Sequence, residues 1–183
     1  MSKENADKEQ KRSFKREVFS WIACIVVTIL LTEFILNFVI INANIPSGSM
    51  ENTIMTNDKL IALRTSYWFN DPKRGDIIIF EYPDDETEWF IKRVIALPGE
   101  TVLVKDGKVY INGSKKALSE PYIKEEPVED FGPYKVPKNG YFVMGDNRNN
   151  SNDAREWETH YVSRDEVLGK AWFRYYPSIK VIK

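Results

Sequence analysis

The chain has 183 residues, of which 43% are apolar and 29% are charged, enough for one ordinary domain with an appendage. These proportions exclude the disordered and collagen-like classes, and a net charge of −1 from 26 basic and 27 acidic residues does not indicate a nucleic-acid partner. A single His and a single Cys exclude an internal disulfide and a zinc site built from Cys and His alone.

A long apolar run follows the N-terminal tail of residues 1–17. It extends from Val18 to Ile41, and as a helix it would span about 36 Å, against about 30 Å for the hydrocarbon core of a bilayer. A cleavable signal peptide is disfavoured because its apolar region has only about 7–15 residues and ends at a small-residue cleavage site. A buried core helix is disfavoured because the run is apolar on all sides. We therefore predict a transmembrane helix over residues 18–41.

The charges beside this run predict its orientation. Basic residues are concentrated at the end of the tail, at Lys11, Arg12, Lys15 and Arg16. They favour a cytoplasmic N-terminus and an outer location for residues 42–183. Cys24 then lies within the membrane as a small apolar residue. Glu33 falls in the outer half of the helix, where we interpret it as a tolerated interfacial carboxylate.

Residues 42–183 are predicted to form a β-rich domain, because segments rich in β-branched and aromatic residues alternate with turn signals. The predicted strands are Lys59–Arg64, Asp76–Tyr82, Trp89–Leu97, Thr101–Lys105, Lys108–Ile111, Tyr141–Gly145 and Val167–Tyr175. No long helical periodicity and no internal repeat is visible. Residues 117–137 are rich in prolines and acidic residues, which predicts a surface excursion.

The residue inventory restricts how a hydrolase could activate its nucleophile. The single histidine, His160, has no other triad element beside it, so a Ser-His-Asp arrangement is not indicated. Cys24 is assigned to the membrane and is not a candidate nucleophile. A carboxylate, a metal or a lysine remains as the activator.

The segment Ile45-Pro46-Ser47-Gly48-Ser49-Met50 follows the apolar run directly. Pro46 restricts the backbone and Gly48 permits a tight turn, so a hydroxyl can be presented on a stiff bend near free backbone N–H groups. Ser49 lies at most about 27 Å from the end of the run even in an extended chain, so a site here would work close to the membrane. A plain linker is the alternative interpretation. Trp68 and Phe69 could seat the domain on lipid or belong to its core.

Lys92 lies in the predicted strand Trp89–Leu97. The two-residue periodicity of a strand places it on the same face as Phe90 and Val94, a largely apolar setting. Lowering the pKa of a lysine by about three units requires about 4 kcal/mol of differential solvation, which burial can supply. Lys92 is therefore a candidate general base, and a lysine that reaches from a strand edge into solvent is the alternative.

A polar loop, Gly145–Arg155, follows the predicted strand Tyr141–Gly145. Ligand positions counted from Asp146 do not fit a calcium-binding loop, because Arg148 falls at a ligand position and Ser151 at the glycine position. Short polar side chains together with two arginines are instead typical of a hydrogen-bonded loop that braces a site.

Together these segments resemble the type I signal peptidase family, in its short bacterial form with one N-terminal anchor. The matching motifs occur in the family's order, at Pro46–Met50, Arg74–Ile77, Ile91–Gly99 and Gly145–Arg155. The resemblance implies a mainly β catalytic domain outside the membrane, and a serine endopeptidase that cleaves signal peptides from secretory precursors through an acyl-enzyme. It implies no metal and no cofactor. The expected partners are the precursors, the lipid bilayer of the bacterial cell membrane and the protein translocation machinery, without nucleic acid.

The resemblance also implies roles for individual residues. Ser49 would be the nucleophile and Lys92 its general base, while Ser47 and the backbone N–H of Ser49 would form the oxyanion site and Ser151 would orient Lys92. Supporting positions are Arg93, Gly145, Asp146, Asn147, Asp153 and Arg155. Shallow apolar pockets for small residues before the cleaved bond would be lined by Ile45, Met50, Ile54, Phe90 and Ile91. Asn149 and Ala154 depart from the family pattern, which usually has an acid and a serine there, and this affects supporting contacts only.

Two other functions are open on the residues alone. A self-cleaving Ser/Lys protease of the repressor type would need a DNA-binding module, whereas the N-terminus holds an apolar span. A catalytically idle, membrane-anchored module that binds secreted partners would lack a serine that can be acylated.

Overall fold

The N-terminal unit of the protein is one long helix. The structure, a computed structural model, describes the backbone of residues 3–182 and the side chains of residues 14–182. Helix α1 runs from Lys3 to Phe34 and continues as a π-helical turn over Ile35–Val39. Its part Phe14–Val39 has 26 residues, reaches a mean hydropathy of 2.4 and is not buried. At about 1.5 Å per residue this helix is long and apolar enough to cross a bilayer, as a membrane anchor must.

The helical part ends before the predicted boundary. Ile40 and Ile41, predicted to end the helix, instead begin strand β1 (Ile40–Asn44) of a second unit that starts at Ile40. Ile41 pairs with Ala62 and is only 3% exposed, so it gains burial in the β domain. The apolar run continues without a break from the helix into this strand, and composition alone therefore does not mark the change.

The second unit is mainly β, as predicted. After β1, its strands are β2 Lys59–Leu63, β3 Ile77–Tyr82, β4 Asp85–Ala96, β5 Thr101–Lys105, β6 Lys108–Ile111, β7 Phe131–Lys135, β8 Gly140–Met144, β9 Val162–Ser163, β10 Val167–Tyr176 and β11 Lys180–Val181. The larger sheet has eight strands in the order β1-β2-β10-β3-β4-β8-β9, with β11 paired to β10. The smaller sheet has the order β6-β5-β7. Within the described residues after β1, the helices are the short 3₁₀ turns Arg64–Tyr67 and Arg164–Glu166.

All seven predicted strands are present, and β5 and β6 have the predicted bounds. Strands β1, β7, β9 and β11 were not predicted. Strand β7 lies inside the predicted surface excursion of residues 117–137, and its pairing with β5 makes part of that segment integral to the smaller sheet. Val136, which follows β7, is also buried in the core. The excursion is thus only partly a surface feature.

Strand β3 is buried on both faces and organises the core. Ile78 and Phe80 point into one hydrophobic cluster, whereas Ile77 and Ile79 point into a second cluster on the other face. This is the expected result of side chains alternating along a strand whose first four residues are all apolar. Strand β3 pairs with β4 so that Ile78 is opposite Lys92, and the lysine is thereby brought into the interior of the sheet.

Candidate active site

The segment after β1 forms a tight turn that presents Ser49. Backbone hydrogen bonds between Ile45 and the chain at Asn57 and Asp58 fix the start of this segment, and the Glu51 N–H donates to the carbonyl of Gly48 to close the turn. The next residue, Met50, is fully buried in the second hydrophobic cluster. Burial of Met50 therefore anchors the turn to the core of the domain. Ser49, only 6% exposed, is held against the interior of the domain.

The side chain of Lys92 reaches Ser49 from strand β4. Its Nζ lies 2.9 Å from Ser49 Oγ, within hydrogen-bond distance, and 5.1 Å from the centre of the Phe90 ring. Burial lowers the pKa of the Lys92 ammonium from 10.5 to about 8, although the Asp153 carboxylate opposes this by favouring the charged form. About one tenth of Lys92 is consequently neutral at pH 7 and can accept a proton.

A second hydroxyl lies beside the first. Ser47 Oγ is 3.4 Å from Ser49 Oγ. Both residues are on the same turn, next to the hydrogen bond between Lys92 and Ser49. A hydroxyl at this position can donate to an oxygen that develops negative charge on a carbon attacked by Ser49 Oγ.

The polar loop Gly145–Arg155 packs directly against the nucleophile turn. Asn147 donates two hydrogen bonds of 3.0 Å to it, from its backbone N–H to Ser49 O and from its side chain to Gly48 O. Gly145 lies so close to Ser49 and Ser151 that a Cβ atom there would clash with the Ser49 carbonyl oxygen and with Ser151 Oγ. Contacts this short leave no room for a side chain at position 145, so a glycine is required.

A buried ion pair joins the loop to strand β4. Arg93, the neighbour of Lys92, donates from Nε and Nη2 to the two carboxylate oxygens of Asp146 at 2.8 and 2.7 Å. The Arg93 side chain is 3% exposed and that of Asp146 is not exposed. Paired geometry of this kind compensates for the desolvation of both charges and fixes the loop relative to the strand.

A second ion pair stabilises the loop from within. Asp153 accepts hydrogen bonds from Arg155 and from the Gly145 N–H, the latter at 2.9 Å. Arg155 also donates to the carbonyl of Arg148 at 2.6 Å. The two ends of the loop are thereby tied together, and Gly145 is held beside Ser49.

Ser151 lies beside Gly145, but the structure gives it no hydrogen bond to Lys92. Within the part of the chain whose side chains are described, its Oγ is buried and has no hydrogen-bond partner. The predicted contact between Ser151 and Lys92 is therefore not made in this conformation, and the hydroxyl is available for another acceptor or donor.

Two residues that the sequence analysis did not single out support the loop from the 117–137 segment. Glu120 forms two hydrogen bonds with the fully buried Arg148 guanidinium, at 2.6 and 3.0 Å. The ring of Tyr122 lies 3.9 Å from the Arg93 guanidinium carbon, and its hydroxyl donates to Glu120. Neither residue belongs to a recognisable motif; the buried partner Arg148 was visible in the sequence only as one arginine of a polar loop.

The departures from the family pattern lie away from the reacting atoms. Asn149 holds the 117–137 segment through its side chain, which accepts from Val128 N–H and donates to Glu126 O. Ala154 is fully buried in the larger hydrophobic cluster.

His160 contacts the carbonyl of Ala154 through Nδ1 at 2.8 Å and packs against the rings of Phe131 and Tyr134. The histidine therefore has a packing role, in agreement with the absence of a histidine triad in the sequence.

A cleft of about 690 Å³ opens beside Ser49 and Lys92. Of the five predicted substrate-binding residues, Ile45, Phe90 and Ile91 line it. A smaller neighbouring pocket of about 210 Å³ is lined by the same three residues together with Trp89 and Ile79. Met50 and Ile54 are buried in the second cluster, 0% and 1% exposed, and do not line either cavity. Both side chains instead pack among the other residues of the second hydrophobic cluster.

Comparison with known proteins places this chain in a family. The family model described as signal peptidase, peptidase S26, matches residues 18–176. The probable signal peptidase I-2 of Synechocystis sp. is 44% identical over 161 residues, which cover 85% of this chain and 72% of that protein. The signal peptidase I of Bacillus licheniformis is 35% identical over 185 residues, which cover 96% of this chain and 97% of that protein.

Among solved structures, a signal peptidase I from Enterococcus faecalis is 36% identical, covers 55% of this chain and 97% of that chain, and superposes with a TM-score of 0.48. The matches to the family model and to the two relatives confirm the resemblance drawn from the motifs. Because the family model extends from residue 18 to residue 176 and the relatives match over most of their length, the chain belongs to the signal peptidase family, peptidase S26.

Proposed function

We propose that this chain is a serine endopeptidase that cleaves N-terminal signal peptides from secretory precursors by means of a Ser49–Lys92 dyad. The observation that carries the proposal is the 2.9 Å contact between Lys92 Nζ and Ser49 Oγ, in a member of a family whose relatives are named signal peptidase I. A buried amine with a pKa of about 8 next to a serine hydroxyl is the arrangement that activates a nucleophile without histidine.

In the first half of the reaction, neutral Lys92 accepts the proton of Ser49 as Oγ attacks the carbonyl carbon of the precursor's peptide bond. The electron pair of the carbonyl moves to its oxygen, and the oxyanion accepts hydrogen bonds from the Ser47 hydroxyl and the Ser49 backbone N–H. Lys92, now an ammonium group, donates the proton to the leaving amine as the C–N bond breaks. An acyl-enzyme on Ser49 results, and the new N-terminus leaves.

In the second half, Lys92 removes a proton from water, and the resulting hydroxide attacks the acyl carbon. The same donors stabilise the second oxyanion, and Ser49 leaves with the proton returned by Lys92. Ser151 orients Lys92 in this proposal, as the family resemblance implies, and its buried hydroxyl has no hydrogen-bond partner among the described side chains.

The helix over Phe14–Val39 is the membrane anchor, with the tail in the cytoplasm and the catalytic domain on the outer side of the bacterial cell membrane. Lys15 and Arg16, at the start of the apolar helix, support this orientation.

Trp68 is half exposed and Phe69 is 91% exposed, which supports contact with lipid more than a role in the core. Precursors would reach the enzyme at the bilayer, and the protein translocation machinery is a candidate partner there.

The proposal is tested by incubating the purified full-length chain in detergent with a secretory precursor and following the products by mass spectrometry. We expect one cut that releases the signal peptide with the wild type, and no cut with Ser49→Ala or Lys92→Ala. The matched controls are Ser114→Ala and Lys105→Ala, which remove the same groups from exposed positions outside the site.

Two outcomes would contradict the proposal. Full activity of Lys92→Ala would eliminate the dyad, whatever the effect of Ser49→Ala. Failure of the wild type to cleave any precursor, together with no acylation of Ser49 by a β-lactam-type inhibitor, would indicate a binding module instead.

A further inference from the structure

The cleft beside the dyad has two long walls that both end at the reacting atoms, and Asn150 and Asn152 of the polar loop also line it. One wall is the segment Ile45–Ser49 and the other is the segment Glu88–Lys92 of strand β4. The wall Ile45–Ser49 carries no acidic or basic side chain. The wall Glu88–Lys92 begins with an acid and ends with a lysine. If an extended peptide binds with its cleaved bond at Ser49, the part of the peptide on one side of that bond therefore lies along β4.

Glu88 lies at the end of this wall farthest from the dyad. Glu88 lines the cleft together with Phe90 and Lys92. It is four positions from Lys92 in the chain, so the two residues lie at most about 13 Å apart along the strand at about 3.3 Å per residue. A bound peptide with the same rise would bring its residue about four positions from the cleaved bond beside the Glu88 carboxylate.

Among the described side chains, residues 14–182, none forms an ion pair with Glu88. No hydrogen bond within this part of the chain involves its carboxylate either, and the side chain is exposed. Arg64 lies near the adjacent residue, with its guanidinium 5.7 Å from the ring centre of Trp89, and forms no ion pair with Glu88.

We infer that Glu88 gives the cleft a charge preference: a lysine or arginine about four residues from the cleaved bond is favoured, and an aspartate or glutamate there is disfavoured. The inference rests on the proposed function and specifies its substrates further. Only the flank of the precursor that lies along β4 is affected. An exposed pair of charges changes kcat/KM by about three-fold, so the preference grades substrates and does not exclude them.

The test uses synthetic precursor peptides that differ in one residue, Lys, Gln or Glu, placed four positions before or four positions after the cleaved bond. With the full-length wild type in detergent, we expect kcat/KM to fall in the order Lys, Gln, Glu at one of these two positions, by about three-fold per step. The order should disappear in Glu88→Gln, reverse in Glu88→Lys, and weaken in the wild type at high salt because exposed charges are screened.

Glu86→Gln is the matched control, since it removes the same charge from the same strand at a residue that does not line the cleft. It should keep both the wild-type preference and the wild-type rate. A wild type that cleaves all peptides without regard to charge, or a preference that persists in Glu88→Gln, would overturn the inference and leave the proposed function intact. Failure to cleave even the Gln peptides would instead overturn the proposed function.

Discussion

Lys92 Nζ and Ser49 Oγ lie 2.9 Å apart, although the two residues are 43 positions apart in the sequence, Ser49 in the turn after β1 and Lys92 within strand β4. Both side chains are almost fully buried, at 4% and 6% exposure. Burial keeps the lysine largely unsolvated, and this lowers its pKa without a nearby positive charge. The contact therefore places the base beside the nucleophile, and burial at the same place explains the lowered pKa of the base.

The first prediction concerns the pH dependence of cleavage. Because the active form of Lys92 is neutral and its pKa is about 8, kcat/KM should rise about ten-fold per pH unit below pH 8 and level off above it. The measurement is a rate profile with a neutral precursor peptide, and Lys105→Ala should reproduce the wild-type profile. A profile that is flat from pH 6.5 to pH 9 would be incompatible with lysine as the base.

The second prediction concerns stability. The pKa of Lys92 is about 8 in the folded protein and near 10.5 when the chain is unfolded, so the unfolded state binds an extra proton between these values and wild-type stability rises with pH across this window. Lys92→Met removes the titrating group. We expect it to raise the free energy of unfolding by about 3 kcal/mol below pH 8, with a gain that disappears by pH 10.5.

Chemical denaturation in detergent at pH 7 and at pH 10.5 measures this difference. A Lys92→Met variant that is less stable than the wild type at pH 7 would show that the buried lysine contributes to stability, contrary to its lowered pKa.

The third prediction concerns the buried pair of Glu120 and Arg148. Glu120→Gln leaves the Arg148 guanidinium, whose side chain is 0% exposed, without a carboxylate, and should lower the free energy of unfolding by about 3 kcal/mol. The control is Asp71→Asn, because the pair of Asp71 with Arg164 has a carboxylate that is 79% exposed and should contribute less than about 1 kcal/mol. Equal effects of the two variants would contradict a supporting role for the 117–137 segment.

The fourth prediction concerns Gly145. In Gly145→Ala the new Cβ would clash with the Ser49 carbonyl oxygen and with Ser151 Oγ, so the nucleophile turn must move. A displacement of about 1 Å can cost about 100-fold in rate, and we expect kcat to fall by at least that factor while the far-UV circular dichroism stays that of the wild type. Wild-type kcat in this variant would show that the turn tolerates the shift.

The fifth prediction concerns the second serine of the turn. Ser47→Ala removes a hydroxyl located 3.4 Å from Ser49 Oγ, and as an oxyanion donor its loss should reduce kcat by about 100-fold to 1,000-fold. KM should change little, because the donor acts on the charge that develops in the transition state. A variant that raises KM and keeps kcat would assign Ser47 to ground-state binding.

The sequence predicted the strands best where local signals are strong. Strands β5 and β6 were predicted with their observed bounds because the Asp106-Gly107 turn separates two runs of β-branched residues. Strand β1 was missed because it continues the apolar run of the helix, and β7 because it contains Gly132 and Pro133, which are unfavourable in strands. Strands of two residues, such as β9, have no sequence pattern of their own.

The candidate site divides in the same way. The apolar face shared by Lys92, Phe90 and Val94 follows from the alternation of a strand, so the setting of the base was accessible from the sequence. The supporting contacts of Glu120 and Tyr122 were not, because they join segments far apart in the chain and depend on how the sheets pack. Burial of Met50 and Ile54 beneath the turn likewise depends on packing.

Strand β4 holds two consecutive basic residues that contact different partners. Lys92 contacts Ser49 and has a lowered pKa, whereas Arg93 pairs with the Asp146 carboxylate. A slip of one residue that brought Arg93 opposite Ile78 would place beside Ser49 a guanidinium, a group that does not act as a base in proteins. The pairing of Ile78 with Lys92 and of Ile77 with Arg93 therefore selects which basic residue can act as a base, and catalytic competence becomes a property of strand register.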